Sequence, residues 1–202
     1  TEFPQLGRLR MSSLDGIEID EALFELFAHE ARLMPHLHLS LQHGDDLILK
    51  RMKRRHSRAQ AVDLVRRLKE QRPEIAIGAD LIAGFPTESD AHHAANLSII
   101  ADCDIVHGHI FPYSPRPGTP AARMPQVERA TIKARAAELR DAVAGRREAW
   151  LKSLVGETLS VLAERDGTGY APSYARVDVP EGIPAGRIVE ITPRTLEGGL
   201  LR

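Results

Sequence analysis

Residues 75–89 read IAIGADLIAGFPTES. Ile75, Ile77, Leu81, Ile82 and Ala83 form an apolar run of strand length, with one acid, Asp80, inside it. Gly84-Phe85-Pro86 ends the run, and Thr87 and Ser89 offer N-caps for a following helix. An apolar strand with a carboxylate near its end and a glycine turn behind it suits a buried parallel strand aimed at a ligand. The same pattern also fits a plain buried strand whose acid caps a neighbouring loop.

The neighbouring sequence supplies similar units. Arg8 to Ser13 alternates like a short strand, and Asp20 caps a helix carrying Leu23, Leu26, Phe27 and Ala31 before Pro35. His36 to Gln42 places leucines on one face and His36, His38, Ser40 and Gln42 on the other. After Gly44, Asp45 caps a short helix with Leu47, Ile48 and Met52. Ser57 and Gln60 form a capping box for a helix through Ala61, Leu64, Val65 and Leu68, which Pro73 ends. Residues 89–101 predict a helix with Ala94, Leu97 and Ile100 inward, and Asp104 to Phe111 predicts a strand. Strands beginning near residues 8, 37, 75 and 105, each followed by a helix, imply an α/β fold with a parallel sheet and right-handed crossovers. Barrel and open sheet stay equally open at this point. Either way the ligand site lies at the C-terminal strand ends, which are polar: Ser12 and Ser13, Ser40 and Gln42, Asp80 and Thr87, Tyr113 and Ser114.

Residues 111–125, FPYSPRPGTPAARMP, hold five prolines and predict a stiff loop. Val127 to Trp150 returns to helix, with Ile132, Leu139 and Val143 on one stripe. Beyond Leu151 the texture changes to short alternating runs, 158–163, 175–179, 187–191 and 199–202, with a hairpin turn at Asp166-Gly167. That pattern predicts a small all-β barrel of the OB type over 151–202, separate from an α/β unit over 1–150.

Composition bounds the function. Net charge is −1, so the global balance advertises no nucleic-acid partner. Locally, Lys50, Arg51, Lys53, Arg54, Arg55 and Arg58 crowd one run, either a solvated helix face or a phosphate-facing patch. Segment 111–150 carries eight Arg or Lys against four Asp or Glu. The C-terminal module is not basic, so any RNA contact there would use shape and aromatics such as Tyr170 and Tyr174. No apolar run reaches membrane-spanning length and no signal peptide opens the chain. A single cysteine, Cys103, fits a reducing cytoplasm and excludes an internal disulfide or a Cys-rich metal site. His36, His38, His107 and His109 suggest packing and hydrogen bonding rather than a metal, since no third ligand stands at helical spacing. No phosphate-binding glycine loop and no nucleophile–base signature is present.

Four stretches taken together carry a resemblance: HLHLSLQHGDD (36–46), ILKRMKRRHSR (48–58), ADLIAGFPTESD (79–90) and FPYSPRPGTPAARMP (111–125). In order and spacing they resemble the radical SAM methylthiotransferases, and the C-terminal module resembles the TRAM domain of that family. GDDLILKRMKRRHSR looks most like the branch that acts on threonylcarbamoyladenosine in tRNA. The resemblance implies the C-terminal part of a parallel βα, TIM-like barrel, about strands three to six, followed by TRAM. It implies S-adenosylmethionine and [4Fe–4S] clusters as cofactors and tRNA as substrate. In that chemistry a 5′-deoxyadenosyl radical abstracts hydrogen from C2 of the modified adenosine next to the anticodon, and sulfur and a methyl group follow. By motif position, Ser40 and Gln42 would face the ribose and methionyl part, Asp80 to Gly84 the adenosyl group, and Phe111 to Tyr113 the adenine.

Departures from the family accompany the match. The CxxxCxxC motif and the further cluster cysteines are not in this sequence, so the cluster ligands would come from a missing N-terminal part of the same enzyme, and this chain alone would be inactive. His43 stands where the family places a small residue. A partial sheet has exposed edges, so self-association along the first strand is expected. The runner-up reading is a non-catalytic RNA-binding remnant using the 50–58 run and the β-module. A small-molecule enzyme on a complete flavodoxin-like sheet is the third.

Overall fold

The structure is a computed structural model, and it describes residues 3–202. The elements follow the capping residues closely. Helix α1 spans Glu21–His29, with the Asp20 carboxylate accepting from the Leu23 N–H. Strand β1 is His36–Gln42, and α2 is Asp46–Arg51, capped by Asp45. Helix α3, Arg58–Gln71, opens on the Ser57–Gln60 box. Strand β2 is Ala76–Ala83. Helix α4, Asp90–Asp102, is capped by Ser89; β3 is Ile105–Pro112, and α5 is Arg129–Ser153. The C-terminal strands are β4 Leu159–Ala163, β5 Thr168–Tyr170, β6 Arg176–Asp178, β7 Ile188–Ile191, β8 Leu196–Glu197 and β9 Leu200–Leu201.

Three strands, not four, make the parallel sheet, in the order β1-β2-β3. The stretch expected as a strand at Arg8–Ser13 is not one of its strands: Leu9 bridges Leu33, which precedes β1, and Leu14, just beyond the stretch, bridges Leu39 of β1. Its side chains are drawn elsewhere: Arg8 Nη2 donates to Ser160 and Arg10 Nη2 to the Pro172 carbonyl at 3.1 Å.

One face of the sheet is apolar. Leu37, Leu39, Leu41, Ile77, Leu81 and Ile105 are buried there beneath α1, α3, α4 and α5. Two helical stripes match the sequence expectation in part: Leu23, Phe27, Leu97 and Ile100 meet the core as expected. In α1, Phe24 and Phe27 turn inward, Leu26 is exposed and Ala31 lies past the helix end. In α4 the buried set is His93, Asn96, Ile99 and Ile100, and Ala94 is exposed. The reason is polar: Asn96 bridges the Gly44 N–H and the Ile82 carbonyl, and that double contact sets the rotation of α4.

The C-terminal strands form one open sheet, order β7-β4-β5-β6-β9-β8, with its own core around Leu151, Val161, Val177 and Leu201. The expected closed barrel is not found among the described residues: β7 and β8 stand at opposite edges. In the connection between them the N–H groups of Arg194 and Thr195 both go to the Arg202 carbonyl, and Pro193 has no N–H to donate. No helix among the described residues is long and apolar enough to cross a membrane.

Candidate functional site

Strand alternation puts polar side chains on the sheet face away from the helices. Register aligns His38 with Gly78, Gly78 with His107, Asp80 with His109 and Ile82 with Phe111. Asp80 Oδ1 therefore lies between two imidazoles, 3.0 Å from His38 Nε2 and 3.1 Å from His109 Nδ1. The rings are 4.7 Å apart, tilted by 35°. One ligand atom from each of His38, Asp80 and His109 falls within 4.8 Å of the others, so these three could hold a metal ion. Sequence reasoning saw the histidine pairs but missed this convergence, because the residues are 29 to 42 positions apart and only the register joins them.

Above this cluster, at the C-terminal strand ends, lies a cleft of about 460 Å³. Gln42, Asp80, Phe111 and Tyr113, four of the residues singled out by sequence, line it together with Ile82 and Arg116. Gln42 reaches it through a bulge in β1 and a φ of 70°, which turns its side chain out of the ordinary alternation. The Tyr113 hydroxyl is buried and has no hydrogen-bond partner among the described residues. Ser40 is held beside the cleft rather than in its lining: its carbonyl accepts from Arg54 Nη2 at 2.7 Å. Gly84 faces the opposite way. At φ 73° it backs onto α5, where a Cβ would sit 2.4 Å from Ile132 Cγ1.

A buried ionic group fixes the turn after β2. Glu88 and His43 are fully buried, with His43 Nε2 3.1 Å from Glu88 Oε2. His43 Nδ1 accepts the Asp45 N–H, so the proton sits on Nε2 and points at the carboxylate. Arg135 Nη1 lies 3.0 Å from Glu88 Oε1, and Gly84 N–H donates to Oε2. Burial pushes the Glu88 carboxyl up, but His43, Arg135 and the Gly84 N–H outweigh it and hold the group below its ordinary value. His43 thus neither crowds the cleft nor reaches a ligand; it braces Glu88.

The basic run divides in two. Arg51 donates to Thr87 Oγ1, Arg54 pairs with Asp15, and Arg58 is bound to the Gly44 and Ala95 carbonyls and to Asp102. Lys50, Lys53 and Arg55 point to solvent, Arg55 with only a 4.0 Å approach to Glu18. Tyr170 and Tyr174 stack, with centroids 4.7 Å apart. Tyr174 also packs on His36 at 5.0 Å and under Arg10, so it joins the module to the sheet's polar face. There His36 and His107 are buried, and burial pushes them down to about 4 and about 3.

Residues 11–97 match the family model of the radical SAM superfamily. Over 199 residues, 98% of this chain and 47% of the relative, the sequence is 41% identical to the threonylcarbamoyladenosine tRNA methylthiotransferase MtaB of Rickettsia prowazekii. It is 38% identical to the tRNA-2-methylthio-N(6)-dimethylallyladenosine synthase of Paracoccus denitrificans, over 94% of this chain and 44% of that one. Coproporphyrinogen III oxidase from Escherichia coli, described as a radical SAM enzyme, aligns with TM-score 0.49 and 16% identity over 71% of this chain and 32% of its own. The chain spans about half the length of the curated relatives it matches. With those relatives aligned along nearly all of it, the chain belongs to the radical SAM methylthiotransferase family.

Proposed function

We propose that this chain forms the cofactor-facing and substrate-facing part of a cytoplasmic tRNA methylthiotransferase acting at C2 of N6-threonylcarbamoyladenosine. The observation that carries the reading is the cleft itself: Gln42 from β1, Asp80 from β2, and Phe111 and Tyr113 from β3 and its following loop meet at one rim. Strand ends of a parallel α/β sheet are where such folds bind ligands. The 41% relative, named for that nucleoside, supports the substrate.

The lining suits S-adenosylmethionine. The Asp80 carboxylate and the Gln42 amide offer acceptors and donors to a ribose or an ammonium group. Ile82 and Phe111 offer an apolar wall to a purine, and the partnerless Tyr113 hydroxyl is a waiting donor. An iron–sulfur cluster does not fit this chain's residues. Its single thiol, Cys103, is fully buried in the helix-covered core, and burial pushes it up to about 12. The part played by these residues is therefore binding and orientation: His38 and His109 fix Asp80, and the Glu88 group fixes the turn behind it. Lys50, Lys53 and Arg55 are the members of the basic run placed to meet RNA phosphates.

The test uses the full-length enzyme carrying Gln42→Ala or Asp80→Ala. Titration with S-adenosylmethionine is expected to show weakened binding, and mass spectrometry of tRNA nucleosides to show lost methylthiolation. Unchanged affinity in both variants would remove the cleft from the mechanism.

A further inference from the structure

We propose that the groove between the proline-rich loop and the first half of α5 binds the phosphate backbone of RNA through Arg129, Lys133 and Arg140. The proposal rests on the tRNA reading above and adds a second phosphate-facing surface to the exposed Lys50, Lys53 and Arg55 of the basic run.

The groove measures about 830 Å³. One wall is Pro112 to Pro115; the other is α5. Arg129, Lys133 and Arg140 stand four and seven residues apart, so at about 100° per residue they fall within roughly 40° of one another on the helix. At about 1.5 Å per residue the row is roughly 16 Å long. All three are exposed, and none has an ion pair or a side-chain hydrogen bond among the described residues.

The remaining cations of α5 behave differently. Arg135 is bound to Glu88 and Asp90, Arg146 to Asp104, Arg147 to His107 and Lys152 to Glu148. Among the described residues, α5 thus leaves positive charge without a partner only on the stripe that lines the groove. The acids of the helix do not enter the stripe: Glu138 faces His93, 2.8 Å away, and neither Glu128 nor Asp141 lines the groove. Between the cations, the half-buried Ile132 gives the wall an apolar surface suited to ribose.

Continuity decides the occupant. Pro112, Tyr113 and Ser114 line both this groove and the cleft that holds Gln42 and Asp80. A strand whose phosphates lie along α5 is led over the loop to the cleft, which is the geometry a polymeric substrate needs when one of its nucleosides is the reacting part. Each phosphate neutralised contributes roughly 0.7–0.9 to the salt dependence of binding.

The experiment measures binding of a fluorescein-labelled anticodon stem–loop RNA to the chain by anisotropy over a series of salt concentrations. The triple variant Arg129→Ala, Lys133→Ala, Arg140→Ala is expected to bind about tenfold or more weakly and to lower the salt slope by about two. The charge-conserving triple Arg129→Lys, Lys133→Arg, Arg140→Lys is expected to keep the slope. Circular dichroism checks that both variants fold. Wild-type slope and affinity in the alanine variant, equal losses in the charge-conserving variant, or no salt-dependent binding by the parent chain would each overturn the proposal. So would competition by a polyglutamate peptide as effective as that by unlabelled RNA. Cofactor titration of the full-length enzyme is read separately, so failure of the groove and failure of the methylthiotransferase reading give different results.

Discussion

His38 on β1 joins Asp80 on β2, with Nε2 3.0 Å from Oδ1, although register sets His38 opposite Gly78 rather than opposite Asp80. The imidazole leans along the sheet over Gly78, where a Cβ would lie 2.4 Å from His38 Nδ1. The missing side chain at Gly78 is what lets the ring reach the carboxylate. With His109 on the same oxygen, one carboxylate ties the polar faces of three strands.

Gly78→Ala should therefore displace the His38 ring and free Asp80. Overpacking of this kind costs about 1–3 kcal/mol. Urea unfolding is expected to show a lower midpoint with an unchanged slope. An unshifted midpoint would mean that the ring finds an equally good position elsewhere.

Glu88→Gln removes a buried charge and leaves Arg135 with Asp90 as its remaining carboxylate partner among the described residues. Breaking a buried pair from one side costs about 3–5 kcal/mol. The pH dependence follows from the lowered Glu88 value. Its stabilising contribution is complete above the ordinary carboxyl range and is lost as pH falls through the depressed folded value. The variant should be less stable at neutral pH and should lose part of the acid-induced decline, measured as denaturant midpoints between pH 7 and pH 3.

His36 and His107 are depressed to about 4 and about 3, with burial the main cause for both. Below their ordinary value the unfolded chain takes up protons that the folded chain refuses. Stability is therefore full above about pH 6.5 and declines as pH falls towards the folded values. Neither ring nitrogen of His36 has a hydrogen-bond partner among the described residues. His36→Phe keeps an aromatic ring against Tyr174 and His107 and removes that burden, so its melting temperature should equal or exceed the parent's at pH 7 and fall less between pH 7 and pH 5. A steeper fall would contradict this.

Cys103 is fully buried and pushed up to about 12. It should resist a thiol reagent such as DTNB at pH 8 in the folded chain and react at once in denaturant. Rapid labelling of the native protein would show that the α4–β3 junction opens readily.

Much of the local structure was legible in the sequence because it is written locally. Asp20, Asp45, Ser57 and Ser89 cap the helices that their spacing predicts, and the alternation of 36–42 and 75–83 marks β1 and β2. The stripe of α4 is legible in part: Leu97 and Ile100 meet the core, whereas Ala94 is exposed and Asn96 is buried, because Asn96 contacts Gly44 and Ile82 from far along the chain. The basic run read as one patch; the fold commits Arg51, Arg54 and Arg58 to internal partners and leaves Lys50, Lys53 and Arg55 outside.

What the sequence alone determined is the succession of elements, the polar strand ends and the family motifs, all carried by spacing within a few residues. Tertiary structure alone decided which polar groups meet. Asp80 finds two histidines through register, His43 meets Glu88 in the core with its tautomer set by the Asp45 N–H, and the α5 cations without partners among the described residues gather on one groove wall. Those outcomes depend on distances between residues tens of positions apart, which packing and hydrogen bonding set and no short pattern encodes.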